Sequence, residues 1–221
     1  MTETNPVPTV LDLPLREGLA RIPTPLPSDA LDRLNGVVGL RRFDRGGRFV
    51  GTAFTVKTRP GDNLFVYKAL EQIAEGHVIV IDAGGDTNNA ILGELILLVA
   101  HSRGCAGFVI EGAIRDVSVF EFTGFPCYSR GQSHRGPYKS GPGRLNVPVC
   151  IGGQVMSPGD VVVGDEDGIV VFAPSEVERL FADTSAKSAQ EDAIRAEIAS
   201  GARHQNWIAA ALEAPEKGGA R

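Results

Sequence analysis

The chain has 221 residues, 43% of them hydrophobic and 22% charged, with a formal net charge of −5. That length fills one hydrophobic core without requiring a second domain, and the charge balance lacks the basic footprint of a nucleic-acid-binding protein. Cys105, Cys127 and Cys150 show no CxxC or Cys/His ligand spacing, which argues against structural zinc and reads as reduced thiols.

The first residues, MTETNPVPTVLDLPLREG, lack the basic-then-apolar layout of a signal peptide. No apolar stretch approaches a membrane span, so the expectation is a soluble, cytoplasmic protein without membrane contact. Pro6, Pro8, Pro14, Pro23, Pro25 and Pro27 exclude long helices from residues 1–27, except around residues 15–20. Ser28 as N-cap, Asp29 in the first turn and Asn35–Gly36 at the end predict a short helix over 29–34. Residues 49–58 alternate as a strand. Pro60–Gly61–Asp62–Asn63 then turn into a helix over 64–74, with Leu64, Tyr67, Lys68, Glu71 and Gln72 on a half-exposed face. Gly76 ends it, and residues 77–81 form a strand.

The next stretch, DAGGDTNNAILGELILLVAHSRGCAGFVIEGAIRD (residues 82–116), organises the chain. It reads as strand end, glycine-rich turn, helix, buried strand over 107–110, and turn. The helix starts near Gly93 and stops near Gly104, a plausible residue just past a helix end. Glu94 and Arg115 are twenty-one positions apart, and Asp116 follows directly. The first-turn N–H groups of such a helix have no intrahelical partner and attract an anion. Arg115 offers a planar fork for a carboxylate. Asp116 and Glu94 offer the hard oxygens that Mg2+ or Mn2+ prefers, with several waters retained. Together they suit a 2-oxo acid. The competing reading is that Arg115 and Asp116 are structural ion-pair partners and Glu94 merely favours a helix start.

Beyond Asp116, residues 117–122 read as a helical turn and 126–129 as a short strand. The Gly/Pro-rich segment SRGQSHRGPYKSGPGRLNVPV carries Arg130, Arg135, Lys139 and Arg144, either as a solvated loop or as a basic rim to an anionic site. Asp165–Glu166–Asp167–Gly168 is a tight turn between valine-rich strands rather than a calcium loop, because EF-hand spacing is absent. From Ser175 the chain is helical in two pieces, 176–180 and 186–198. Gly201 breaks the second, one more turn is expected over 207–212, and the tail EAPEKGGAR is expected to fray. The four histidines, His77, His101, His134 and His204, show no ligand spacing. His101 reads as a helix-end residue, and His134 is the one worth testing. Nucleophile, Walker and dinucleotide signatures are absent.

GGDTNNAILGEL followed by GAIRD resembles the class II 4-hydroxy-4-methyl-2-oxoglutarate / 4-carboxy-4-hydroxy-2-oxoadipate aldolases. These share a fold with the regulator of ribonuclease activity A proteins. The block from SRGQSHRG to DEDGIVV is similar to the family's second signature, and the likeness runs from about Ser28 to Gly201. The resemblance implies an α/β fold, a swivelling β/β/α domain of three layers with flanking helices. It would occupy residues 28–174, between a proline-rich segment (1–27) and a helical segment (175–221), whose amphipathic helix is open to packing either on a neighbouring subunit or on its own domain. It also implies a homotrimer or homohexamer with sites between subunits. Asp116 is then the direct metal ligand, and Arg115 binds the substrate carboxylate. The backbone of Gly93, Glu94, Leu95 and Ile96 holds the pyruvyl carboxylate. Glu94, where many members have aspartate, reaches the metal through water. An acid from a neighbouring subunit also acts through water: Glu191 is the best match, with Asp192 and Glu197 as rivals.

The expected activity is divalent-metal-dependent cleavage of a 4-hydroxy-2-oxo di- or tricarboxylic acid to pyruvate and a 2-oxo acid. A water oriented by Glu94 would carry the proton, because no histidine is evidently placed for it. Oxaloacetate decarboxylation follows from the same enolate chemistry. The alternative is a non-catalytic, protein-binding regulator on the same fold, a branch understood to lack an acid at the position of Glu94. A third reading, a Schiff-base aldolase using Lys139, needs a desolvated lysine, which a polar Gly/Pro loop does not supply.

Overall fold

The computed structural model describes residues 3–201, together with residues 207, 208 and 212. In chain order the elements are β1 (Glu3–Thr4), α1 (Leu13–Leu19), α2 (Pro25–Ala30), β2 (Gly36–Val37), β3 (Arg41–Arg42), β4 (Phe49–Thr58), α3 (Leu64–Leu70) and β5 (His77–Asp82). Then follow β6 (Ala90–Leu92), α4 (Glu94–Ser102), β7 (Gly107–Ile114), α5 (Val117–Thr123), β8 (Cys127–Gln132) and β9 (Gly143–Leu145). The hairpin β10 (Val149–Ile151) and β11 (Gln154–Met156) precedes β12 (Val161–Asp165), β13 (Gly168–Phe172), a short 3-10 turn (Pro174–Glu176) and α6 (Val177–Ala199).

One large sheet runs β2-β13-β12-β4-β5-β7-β8-β3, with β6 beside the end of β7 and β9 beside the end of β4. Strands β4, β5, β7 and β8 are parallel, joined by helical crossovers, and the flanking pairs are antiparallel. The central parallel strands β5 and β7 are buried on both faces, so β5 is β-branched throughout from Val78 to Ile81, between His77 and Asp82. The period-2 geometry of a strand still sorts them. Phe54, Val56, Ile79, Ile81, Phe108 and Ile110 face α3, α4 and α5. Ala53, Val78, Val80 and Val109 face the hairpin β10–β11 through Val149, Ile151 and Met156. Helices, sheet and hairpin make the three layers of the expected α/β fold. A further cluster seats α1 and α6 on Val161, Val163, Val170 and Phe172.

Several elements differ from the sequence reading. The helix expected over 29–34 starts earlier, at Pro25, and Ser28 lies inside it. Proline is preorganised for a first helical turn, and Asp32 and Arg33 take left-handed backbone that ends the helix. This helix crosses residue 27, and β1 pairs with β9, so the N-terminal segment is woven into the domain. The helix from Leu64 ends at Leu70, four residues short of the expectation. Strand β7 continues past Ile110 to Ile114, because Ala113 and Ile114 pair with β6, a short strand absent from the sequence reading. The two C-terminal helical pieces form one helix, α6. The turn expected at 207–212 lies only partly within the described residues, of which Trp207, Ile208 and Leu212 are helical. His204 and the tail lie outside them. No helix among the described residues is long and apolar enough to cross a membrane.

Candidate functional site

The site forms where β6 and β7 end side by side. Arg115 N–H donates to Leu92 O (3.0 Å), which extends the β6–β7 pairing by one residue and sets Arg115 beside Gly93. Gly93 is the extended N-cap of α4, and Leu97 N–H closes the first intrahelical bond to its carbonyl (3.1 Å). A Cβ at residue 93 would collide with the Asp116 carboxylate and lie 2.8 Å from Arg115 Cγ, so this approach requires glycine.

Asp116 takes left-handed backbone (φ 55°, ψ 38°) as the N-cap of α5, a conformation aspartate tolerates better than most residues. The turn directs its carboxylate to the start of α4, where Oδ2 accepts the Glu94 N–H at 3.1 Å. Arg115 Nε stands 3.6 Å from the same oxygen, and both side chains are about two-fifths exposed, at 42% and 41%. The pairing that the sequence suggested between an arginine–aspartate turn and a helix N-terminus therefore exists in space. Asp116 occupies the N–H of Glu94, which leaves Leu95 and Ile96 as the donors of the first turn without an intrahelical partner. Glu94 itself begins α4 with its side chain exposed.

An open cleft of about 580 Å³ is lined by Arg115, Asp116 and Val117 and by Gln132, Ser133 and His134 from the end of β8. Small-molecule sites commonly measure about 300–1,000 Å³. The β8 side is tethered to the site strands. Ser133 N–H donates to Ile114 O (2.9 Å), Ser133 Oγ to Asn88 O (2.7 Å), and Asn89 Nδ2 to Gly136 O (2.7 Å). A Cβ at Gly136 would lie 3.3 Å from Arg115 Nη1, so the guanidinium runs under this loop.

The basic loop divides in two. Arg130 is spent on the buried Glu111, which also accepts Gly152 N–H at 2.7 Å from the hairpin. Lys139 Nζ lies 5.2 Å from the Tyr67 ring centre, and Arg144 faces Glu3. His134 alone of the expected basic residues lines the cleft. Gln132 and Ser133 carried no mark in the sequence; only the end of a strand beside β7 places them.

Glu191 is not brought to this cleft within one chain. It pairs with Arg195 (2.8 Å), as Asp192 does (2.6 Å). Helix α6 covers β12 and β13, which β4 and β5 separate from β7, a gap of roughly 14 Å from β7 to β12 at ordinary strand spacing. No residue of α6 after Thr184 is buried. Among the described residues, no three His, Cys, Asp or Glu side chains are grouped to hold a metal ion. His101 ends α4 with its ring edge-on to Phe125 at 5.9 Å, away from the cleft. His77 is enclosed in the core.

The profile of the RraA-like family, described as Aldolase/RraA, matches residues 24–171. A protein of Halalkalibacterium halodurans named "Putative 4-hydroxy-4-methyl-2-oxoglutarate aldolase" is 40% identical over 173 residues, covering 78% of this chain and 82% of that one. The structure of an uncharacterised Pseudomonas syringae protein superposes with a TM-score of 0.79 at 29% identity, covering 88% of this chain and 92% of that one. Streptomyces coelicolor RraAS2, described as an unusual member of the RNase ES inhibitor RraA protein family, gives a TM-score of 0.76 at 28% identity over 84% of this chain and 97% of its own. A match over two thirds of the sequence and the shared fold make the conclusion plain: this chain belongs to the RraA-like family.

Proposed function

We propose that this protein is a class II pyruvate aldolase, which cleaves a 4-hydroxy-2-oxo di- or tricarboxylic acid into pyruvate and a second 2-oxo acid. The observation that carries this reading is the meeting of Arg115 and Asp116 on one cleft, with Asp116 bonded to the N-terminus of α4. In this reading Arg115 holds the substrate's C1 carboxylate through its two-point fork, aided by the N–H groups of Leu95 and Ile96. Its positive charge also stabilises the enolate that develops at C2 and C3 as the C3–C4 bond breaks.

The donor set suits a hard divalent cation that keeps several waters, which needs only one or two carboxylates. Asp116 would hold Mg2+ or Mn2+ directly, and Glu94, with Glu191 of a neighbouring subunit, through water. Such a cation supplies Lewis-acid polarisation of the 2-oxo group. Decarboxylation of oxaloacetate gives the same enolate and is the expected side activity. Leu95 and Leu98 on α4 and Phe122 on α5 are exposed, the kind of apolar surface that a homotrimer or homohexamer would cover.

That same apolar surface supports the second reading, a non-catalytic regulator that binds a protein partner. Lys139 is exposed and lies over Tyr67 rather than in the cleft, which disfavours Schiff-base chemistry. The deciding experiment is pyruvate release from a panel of 4-hydroxy-2-oxo acids, with and without EDTA. Metal-dependent release is expected; a chain that releases no pyruvate from any of them with Mg2+ or Mn2+ present is the regulator.

A further inference from the structure

We propose that His134 carries the substrate's proton in this cleft, taking it from the C4 hydroxyl as the C3–C4 bond breaks and returning it to C3. This rests on the aldolase reading above and adds to it the residue that moves the proton. The first observation is position: His134 lines the cleft that Arg115 and Asp116 also line. A substrate held by its C1 carboxylate on Arg115 extends its C4 end away from the guanidinium, and the remaining lining comes from the apolar Val117 and from Gln132, Ser133 and His134.

The second observation is the rigidity of the segment that presents the imidazole. Ser133 is fixed by its N–H to Ile114 O and its hydroxyl to Asn88 O. Arg135 donates to Ser133 Oγ (3.2 Å), and its carbonyl accepts the Ala90 N–H (2.9 Å). His134 thus stands between two tethered neighbours, which limits the ordering it must undergo when substrate binds.

The third observation is the state of its neighbours. The Ser133 hydroxyl is committed to Asn88, and Asp116 is the carboxylate that would hold the cation in the reading above. A guanidinium does not give up its proton in a protein, and an amide such as Gln132 does not exchange one readily. Among the described residues, the His134 ring has no hydrogen-bond partner in the chain. Imidazole both takes and returns a proton in neutral water.

The step balances. The O4–H bond breaks and its proton passes to the imidazole. The O4 electrons form the new carbonyl, and the C3–C4 pair becomes the enolate of pyruvate. The same proton then forms the C3–H bond of the pyruvate methyl group, leaving His134 as it began. Oxaloacetate reaches the same enolate by losing CO2, with no hydroxyl proton to remove; the C3 protonation is common to both reactions, so the ratio of the two rates reads the first transfer, from O4 to the imidazole, apart from substrate binding.

The test compares kcat for aldol cleavage and for oxaloacetate decarboxylation in the native protein, His134→Gln and His134→Gly. The ratio of cleavage to decarboxylation is expected to fall by about a hundredfold or more in His134→Gln, with KM changed little. Added imidazole is expected to restore cleavage to His134→Gly in proportion to its concentration; where decarboxylation is too slow to read, this rescue decides alone. Cleavage within threefold of native, an equal fall in both reactions, or a glycine variant that imidazole does not rescue overturns the proposal. A native protein that cleaves no hydroxy-oxo acid instead sinks the aldolase reading itself, and this inference with it.

Discussion

At the β7–α5 junction, Asp116 keeps 41% of its side chain exposed and accepts one N–H, that of Glu94, with Arg115 alongside at 3.6 Å. At the β12–β13 turn, Asp165 is enclosed and fully engaged. It accepts the Thr24 N–H (2.9 Å) and hydroxyl and the Asp167 N–H (3.0 Å), with Arg48 at 3.5 Å. Burial alone would raise the Asp165 pKa; the bonds from Thr24 and Asp167 and the charge of Arg48 outweigh it and hold the group below the usual carboxylate range. Asp62, fully buried, repeats the second pattern, with burial opposed by N–H groups of Ser140, Leu64 and Gly141 and by Arg59. The contrast separates an acid whose lone pairs are spent on the fold from one whose lone pairs remain available to a ligand.

The largest expected effect breaks the contrast at its open end. Asp116→Ala is expected to abolish turnover while the protein stays folded, because its carboxylate serves the cleft more than the core; a thermal melt and a pyruvate assay check both halves. Substantial metal-dependent activity in this variant would remove Asp116 as the ligand. Next comes Glu94→Gln, expected to lower activity by roughly tenfold to a hundredfold if its charge holds a water of the bound cation. Glu94→Asp, which keeps the charge, is expected to retain more. A purely helix-starting role predicts an untouched rate and a loss of only about 0.3–1 kcal/mol in stability.

Arg115→Lys is expected to cost about tenfold to a hundredfold in kcat/KM, since an ammonium cannot copy the two-point grip; equal kinetics would make Arg115 a structural partner of Asp116. At the closed end, Asp165→Ala strands the Thr24 and Asp167 donors. Expected is a loss of roughly 3 kcal/mol, or about 10 °C in Tm for a chain of this size, with activity per folded molecule unchanged.

The smallest effect is a pH slope. His77 is buried, its Nδ1 accepts the Ala74 N–H at 2.9 Å, and Nε2 lies 3.0 Å from Pro8 O. Burial lowers its pKa, against the contact with Pro8 O, and the Ala74 N–H that the neutral Nδ1 accepts also favours the neutral ring. The unfolded chain therefore binds a proton at higher pH than the folded one, so stability falls as pH drops below about 6.5, the ordinary imidazole value. Asp62 and Asp165 add their loss at lower pH, as acidification passes below the usual carboxylate range and reaches their depressed values. Thermal melts from pH 8 to 5 are expected to show a shallower slope in His77→Gln than in the native protein.

Much of this site was readable before any coordinates. The spacing of Glu94 from Arg115–Asp116 and the helix start after Gly93 depend on local geometry: a glycine N-cap, a helical run and a buried β-branched strand. The strand over 49–58 and the turn at Asp165–Gly168 were legible for the same reason, because periodicity and turn chemistry act over a few residues. Helix boundaries were less so. The start of α2 follows Pro25 rather than Ser28, and Thr24, the residue before it, is bonded to Asp165, 141 positions away in the chain.

What the sequence by itself determined, then, is the set of reactive groups and the elements that carry them: Arg115 and Asp116 after a buried strand, Glu94 at a helix start, and the family to which the motif belongs. The tertiary structure decided which charges are free. Arg130 and His134 lie four positions apart in one basic stretch, yet Arg130 is consumed by Glu111 while His134 lines the cleft. That division follows from β8 pairing in parallel with β7, which puts Arg130 beside Glu111 and brings the end of β8 to Arg115. Strand pairing is a long-range contact, and neither composition nor spacing along the chain encodes which neighbour a strand will find.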